Sequence, residues 1–77
     1  MENKILNILG EIRPEFDFRI SSNFIDDGML DSFDIITLVT ELDKAFCISI
    51  DGVDIVPENF YNLETIERLL VKSGAQK

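Results

Sequence analysis

Apolar side chains recur every three or four residues in three stretches of the chain. This spacing places them on one face of an α-helix, so each stretch predicts an amphipathic helix. The predicted helices cover residues 2–12, 32–46 and 63–73. Their apolar faces consist of Ile5, Ile8, Leu9 and Ile12 in helix one, Ile35, Leu38, Val39, Leu42 and Phe46 in helix two, and Leu63, Ile66, Leu69 and Leu70 in the final helix.

Polar and turn-forming residues mark where these helices begin and end. Pro14 ends helix one, because a proline disfavours the helical conformation in the residue before it. Asp31 is an N-cap for helix two, and the carboxylate of Asp34 is favourable near the positive end of the helix dipole. Asn62 is the matching N-cap of the final helix, and Gly74 ends that helix.

The connections between the helices carry further structure. Residues 13–31 form a long loop, and such loops are uncommon unless they are functional or packed against the core. Residues 47–56 predict an extended loop with Ile48 and Ile50 pointing inward, because no second strand could pair with an isolated one. Residues 57–60 predict a short helix that begins with proline. The expected packing anchors of the long loop are Phe16, Phe18, Ile20, Phe24, Ile25, Met29 and Leu30.

Length and charge narrow the class of protein. The length of 77 residues predicts a single domain over residues 1–77, with little room for an enclosed active site beside its core, and the helical pattern makes it all-α. The chain has 15 acidic and 7 basic residues, a net charge of −8. This balance argues against nucleic acid and anionic membranes as partners, since both attract basic surfaces, and it favours proteins with basic patches. With no long apolar run to form a signal or a membrane span, we expect a cytoplasmic location. We also expect the chain to be a monomer.

Residue types that usually carry out catalysis or bind metals are scarce. The chain has no histidine, and its single cysteine, Cys47, is expected to be a mostly buried small hydrophobe. A nucleophilic Ser32 would need a nearby base, and Lys44 of helix two lies about three turns away. A calcium-binding loop with Gly28 at its sixth position would place Ile25 at a ligand position. We therefore expect neither an enzyme nor a metal site.

One short segment has a more specific pattern. The tripeptide Asp31-Ser32-Phe33 opens helix two after a loop that contains Gly28, in the middle of an acidic chain. This arrangement resembles the modification site of acyl carrier proteins, in which an Asp-Ser-Leu-like tripeptide opens the second helix. The order of elements is similar over nearly the whole chain. The resemblance implies an acyl-carrier-like bundle of three main helices plus a short third helix, with the long loop between helices one and two.

The resemblance also implies a cofactor and partners. A 4′-phosphopantetheine arm from coenzyme A would be attached to Ser32 by a phosphopantetheinyl transferase (a holo-synthase), which makes the chain a phosphoprotein. The arm would carry acyl or aminoacyl intermediates as thioesters to the enzymes that load and process them. A phosphate at Ser32 would lie near the positive end of helix two, whereas Asp31 and Asp34 would repel it. These carboxylates make sense if basic residues of partner enzymes bind them.

The side of helix two near Ser32 is the expected docking face. Asp31 and Phe33 flank the attachment site, where they would belong to the cofactor-binding residues. Partners would contact Asp34, Ile36, Thr40 and Glu41. Apolar side chains would provide affinity and carboxylates would steer a basic partner. We expect Phe33 to be partly exposed, whereas an exposed and an inward Ile36 are equally compatible with the pattern.

The chain departs from the carriers of fatty acid synthesis at several positions. It has Phe33 where they usually have leucine and Thr37 where they usually have glutamate, Lys44 interrupts the acidic run, and residues 51–59 form a longer segment. The Leu-Asp-Ser-Phe form is closer to D-alanyl carrier proteins and other specialised free-standing carriers. The cargo therefore stays open between fatty acyl, polyketide, peptidyl and D-alanyl groups. The alternative function is a helical adaptor that binds proteins without any modification.

Overall fold

Three α-helices carry the fold in this computed structural model, which describes residues 1–75. They are α1, Glu2–Ile12, α2, Ser32–Phe46, and α3, Leu63–Lys72, and two short 3₁₀ helices, Gly52–Asp54 and Pro57–Phe60, lie between α2 and α3. The pattern predicts α1 and α2 over the same residues and α3 one residue longer. This part of the chain contains no β-strand, and none of its helices has the length and apolar character needed to cross a lipid bilayer.

Reciprocal hydrogen bonds define the starts of α2 and α3. At α2, the Asp34 N–H donates to Asp31 Oδ1 over 2.9 Å, and the Asp31 N–H donates to Asp34 Oδ2 over 3.1 Å. At α3, Asn62 and Thr65 form the same arrangement. The predicted N-caps Asp31 and Asn62 are therefore confirmed. Each such cap typically contributes about 1 kcal/mol because it satisfies backbone donors that the helix leaves free.

The helices meet in one hydrophobic core. α1 packs along α2, and α3 contacts both α1 and the 3₁₀ helix Pro57–Phe60. Each large apolar side chain that is fully buried stabilises the fold by about 1.5–3 kcal/mol relative to an exposed one. The largest fully buried side chains are Phe24, Phe60, Ile5, Leu9, Leu38, Leu42, Ile66 and Leu70.

The long loop between α1 and α2 is packed against this core. The ring of Phe18 makes edge-on contacts with Phe16 at 6.3 Å and with Phe24 at 5.1 Å between ring centroids. The N–H of Phe24 donates to the carbonyl of Tyr61, so the loop is also fastened to the segment before α3. Gly28, at φ +73°, supplies the left-handed turn that leads back toward α2.

Two apolar side chains lie outside the core, contrary to prediction. Ile20 is 83% exposed and lies in a turn in which its N–H donates to the carbonyl of Asp17. Cys47 is exposed as well. It ends α2 in the left-handed conformation, at φ 54°, while its N–H still donates to the carbonyl of Asp43. This backbone rotation turns Cys47 away from the apolar face that ends at Phe46.

The segment after α2 is more ordered than an extended loop. Ile50 is buried as predicted, and its N–H donates to Asp43 Oδ1 over 3.0 Å, whereas Ile48 is half-buried. The 3₁₀ helix Gly52–Asp54 interrupts the predicted loop, and Asp51 caps it by accepting from the Val53 N–H over 3.1 Å. The predicted short helix over residues 57–60 is present in 3₁₀ form.

Candidate functional site

Ser32 is the first residue of α2 and is exposed to solvent. Serines at helix starts commonly act as N-caps, accepting a hydrogen bond from the helix backbone. Here Asp31 fills that role, because it precedes the helix and its side chain accepts the capping bond. The hydroxyl of Ser32 makes no hydrogen bond to another group within residues 1–75. The oxygen of Ser32 is therefore free for chemistry without loss of the helix cap.

The side chain of Arg13 forms ion pairs with the two carboxylates beside Ser32. Arg13 Nε lies 2.8 Å from Asp34 Oδ2, and Arg13 Nη2 lies 3.3 Å from Asp31 Oδ2. Arg13 Nη1 also lies 3.3 Å from Glu15 Oε2. We call the contacts of Arg13 with Asp31 and Asp34 the Arg13 clasp. It neutralises part of the negative charge that the sequence places around Ser32.

The contacts of the Arg13 clasp shift the pKa values of Asp31 and Arg13. The hydrogen bond from the Asp34 amide, with the nearby positive charge of Arg13, lowers the pKa of Asp31 below its ordinary value of 3.8. The hydrogen bond to the Asp34 carboxylate raises the pKa of Arg13. Asp31 therefore stays ionised well into the acidic range, and Arg13 keeps its charge.

The predicted docking face is exposed on the adjoining side of α2. Phe33 is 79% exposed and Ile36 is 62% exposed, so the open question about Ile36 is settled in favour of an outward side chain. Thr40 is also exposed, and its hydroxyl donates to the carbonyl of Ile36 over 3.1 Å. Thr37 Oγ1 bonds the carbonyl of Phe33 in the same way over 3.2 Å. Both threonine hydroxyls thus donate within α2, beside the exposed apolar side chains of Phe33 and Ile36.

The acidic residues expected on this face are not equivalent. Asp31 has 56% of its side chain exposed and lies at the edge of the face, next to Ser32. Asp34 has only 14% exposed, because its carboxylate is directed toward Arg13. Glu41 lies farther along α2, with its carboxylate 4.0 Å from Lys44 Nζ. Asp31 and Glu41 are thus accessible to a partner, whereas Asp34 is engaged within the chain.

The sequence pattern does not reveal the role of Arg13. Arg13 and Asp31 are 18 residues apart, and their pairing depends on how α1 packs along α2. One signal was present: a basic residue stands at the start of the long loop, and acidic residues stand at its end. Within residues 1–75, no group of three or more His, Cys, Asp or Glu side chains is arranged to hold a metal ion.

Comparisons of the chain with models of protein families, with curated proteins and with solved structures find no significant match. Three features stand out at the start of α2, namely the exposed hydroxyl of Ser32, the apolar face beside it and the clasp that holds its acidic neighbours.

Proposed function

We propose that the chain is an acyl carrier protein that bears a 4′-phosphopantetheine arm on Ser32. The observation that supports this most strongly is the division of roles at the start of α2. Asp31 caps the helix, which leaves the exposed hydroxyl of Ser32 with no structural task. An attachment point needs this combination of a fixed backbone and a free, accessible oxygen.

The residues around Ser32 suit a phosphate group. The start of a helix carries a partial positive charge, which favours an anion there. Asp31 and Asp34 would repel a phosphate, but the guanidinium of Arg13 offsets their charge. When attached, the arm would supply a terminal thiol that carries acyl or aminoacyl groups as thioesters. The chain itself would hold and present the arm, and partner enzymes would perform the reactions.

The apolar face of α2 would serve as the docking surface for these partners. Exposed apolar side chains such as Phe33 and Ile36 provide affinity when a partner buries them. Asp31, Glu41 and the overall charge of −8 would attract enzymes with basic patches around their active sites. The expected partners are the phosphopantetheinyl transferase and the enzymes that load and process the cargo. Phe33 in place of leucine favours a specialised carrier over one of general fatty acid synthesis.

The proposal is tested by intact-mass analysis after incubation with coenzyme A and several broad-specificity phosphopantetheinyl transferases. The wild type should gain the mass of one arm. Ser32→Ala should gain none, and Ser49→Ala, which removes another exposed serine, should react like the wild type. If no transferase modifies the wild type, the carrier function is wrong, and labelling of Ser32→Ala would place the site elsewhere.

The exposed apolar face also supports a second function. Phe33 and Ile36 are exposed one helical turn apart on α2, and contiguous exposed apolar side chains are typical of protein interaction sites, whether or not Ser32 is modified. A helical adaptor that binds a partner through this face accounts for them without an arm. An unmodified wild type in the mass experiment would favour this function over the carrier.

A further inference from the structure

The Arg13 clasp connects the two ends of the long loop between α1 and α2. Arg13 is the first residue after α1 and Asp31 is the last before α2, so their contact joins the two ends of the loop. The second contact, to Asp34, reaches the third residue of α2. Two nitrogens of one rigid, planar guanidinium therefore hold both carboxylates that build the helix cap.

The first turn of α2 lies between two buried residues, Leu30 before it and Ile35 within it, and the N–H of Leu30 donates to the carbonyl of Phe24. Ser32 and Phe33 are exposed, and Ile35 is the first residue of α2 whose side chain is buried in the core. Within residues 1–75, the hydrogen bonds that link the Asp31 and Asp34 side chains to another element come from Arg13. The capping bonds keep the first turn helical, the buried Leu30 and Ile35 anchor it to the core, and the clasp ties its carboxylates to the end of α1.

We propose that Arg13 is a positioning residue, which fixes the first turn of α2 through Asp31 and Asp34 and so presents Ser32 in one orientation for modification. This inference rests on the carrier function proposed above. A transferase must align the serine oxygen with the phosphate of coenzyme A, and small losses of alignment slow such reactions strongly. Arg13 therefore contributes to the rate of the modification without contacting the reacting atoms.

Loss of Arg13 should slow the transfer step without weakening the binding of the transferase. Separate values of kcat and KM therefore measure the positioning role. Ser32 is held less well, so the transfer step slows. At the same time Asp31 and Asp34 become free to bind basic residues of the transferase, so binding is as tight or tighter. We expect Arg13→Gln to lower kcat for arm transfer by roughly 3- to 10-fold while KM stays constant or falls. A loss of docking alone would instead raise KM.

Arg19→Gln is the matched control. Arg19 pairs with Asp17 over 3.0 Å and with neither Asp31 nor Asp34, and its loss removes the same charge. It should leave kcat unchanged. Arg13→Lys should lie between wild type and Arg13→Gln, because a lysine ammonium cannot hold two carboxylates in the fork geometry. If kcat of both folded Arg13 variants equals that of the wild type, the positioning role is refuted.

Hydrogen exchange without any enzyme gives an independent readout. The amides of Asp34 and Ile35 should exchange faster in Arg13→Gln than in Arg19→Gln, while those of the α3 core keep their protection. If protection is lost throughout the chain, Arg13→Gln is unfolded and Arg13→Lys decides the question through kcat. A wild type that accepts no arm refutes the carrier function and with it this role. Normal labelling with unchanged kcat and exchange refutes the role of Arg13 alone.

Discussion

At the scale of single residues, Arg13 offsets the negative charge of the two carboxylates beside Ser32. Two aspartates would be unfavourable beside a phosphate attached to Ser32, since like charges repel at short distance. With Arg13 Nε 2.8 Å from Asp34 Oδ2, this repulsion is partly cancelled within the chain. Asp31 keeps enough exposure to attract a basic partner, so the same cluster can serve both purposes.

The clasp has a consequence for the titration of Asp31. Arg13→Gln should raise the pKa of Asp31 toward its ordinary value of 3.8, though not fully, because the bond from the Asp34 amide remains. A folded-state pKa below the unfolded value stabilises the protein above the unfolded pKa, and this contribution disappears as the pH falls through the folded pKa. Between neutral pH and strong acid, the free energy of unfolding should therefore fall less in Arg13→Gln than in the wild type.

Carbon-13 NMR of the carboxyl groups during an acid titration measures this shift. Arg19→Gln is the control, because Arg19 lowers the pKa of Asp17 and does not contact Asp31. Arg19→Gln should raise the pKa of Asp17 and leave the pKa of Asp31 unchanged. An Asp31 titration curve that is identical in wild type and Arg13→Gln would contradict the clasp.

At the scale of elements, the start of α2 separates the residue that caps the helix from the proposed attachment residue. Asp31→Ala should lower the free energy of unfolding by about 1–2 kcal/mol, because it removes the acceptor of the cap. Ser32→Ala should change it by less than about 0.5 kcal/mol, because the exposed hydroxyl has no structural task. Urea denaturation of both variants measures the difference. An equal loss in Ser32→Ala would mean that Ser32 is part of the cap after all.

At the scale of the whole molecule, two phenylalanines test the division between core and docking face. Phe24 is fully buried and Phe33 is 79% exposed. Phe24→Ala should lower the free energy of unfolding by about 3–5 kcal/mol, which is a large part of the total stability of a domain of this size. Phe33→Ala should change it by less than about 0.5 kcal/mol. Thermal unfolding followed by circular dichroism compares the two. A strongly destabilised Phe33→Ala would show that Phe33 belongs to the core.

Much of this fold follows from the sequence pattern, because α1, α2 and α3 each bury one regular apolar stripe. The pattern fails where the backbone is not helical. Cys47 is apolar and adjoins a stripe, but the left-handed end of α2 turns it to solvent. Ile20 lies in an irregular turn, where side-chain type does not determine direction. The Arg13 clasp depends on tertiary packing between distant residues, which no local pattern contains.

The attachment of the arm to Ser32, and not to Ser21 or Ser22 of the preceding loop, is the central proposal. Its most direct test is fragmentation of the tryptic peptide Ile20–Lys44 after incubation with coenzyme A and a phosphopantetheinyl transferase. This peptide contains Ser21, Ser22 and Ser32, so its fragment ions distinguish the three positions. We expect the added mass on Ser32 alone. An unmodified peptide, or added mass on Ser21 or Ser22, would contradict the account.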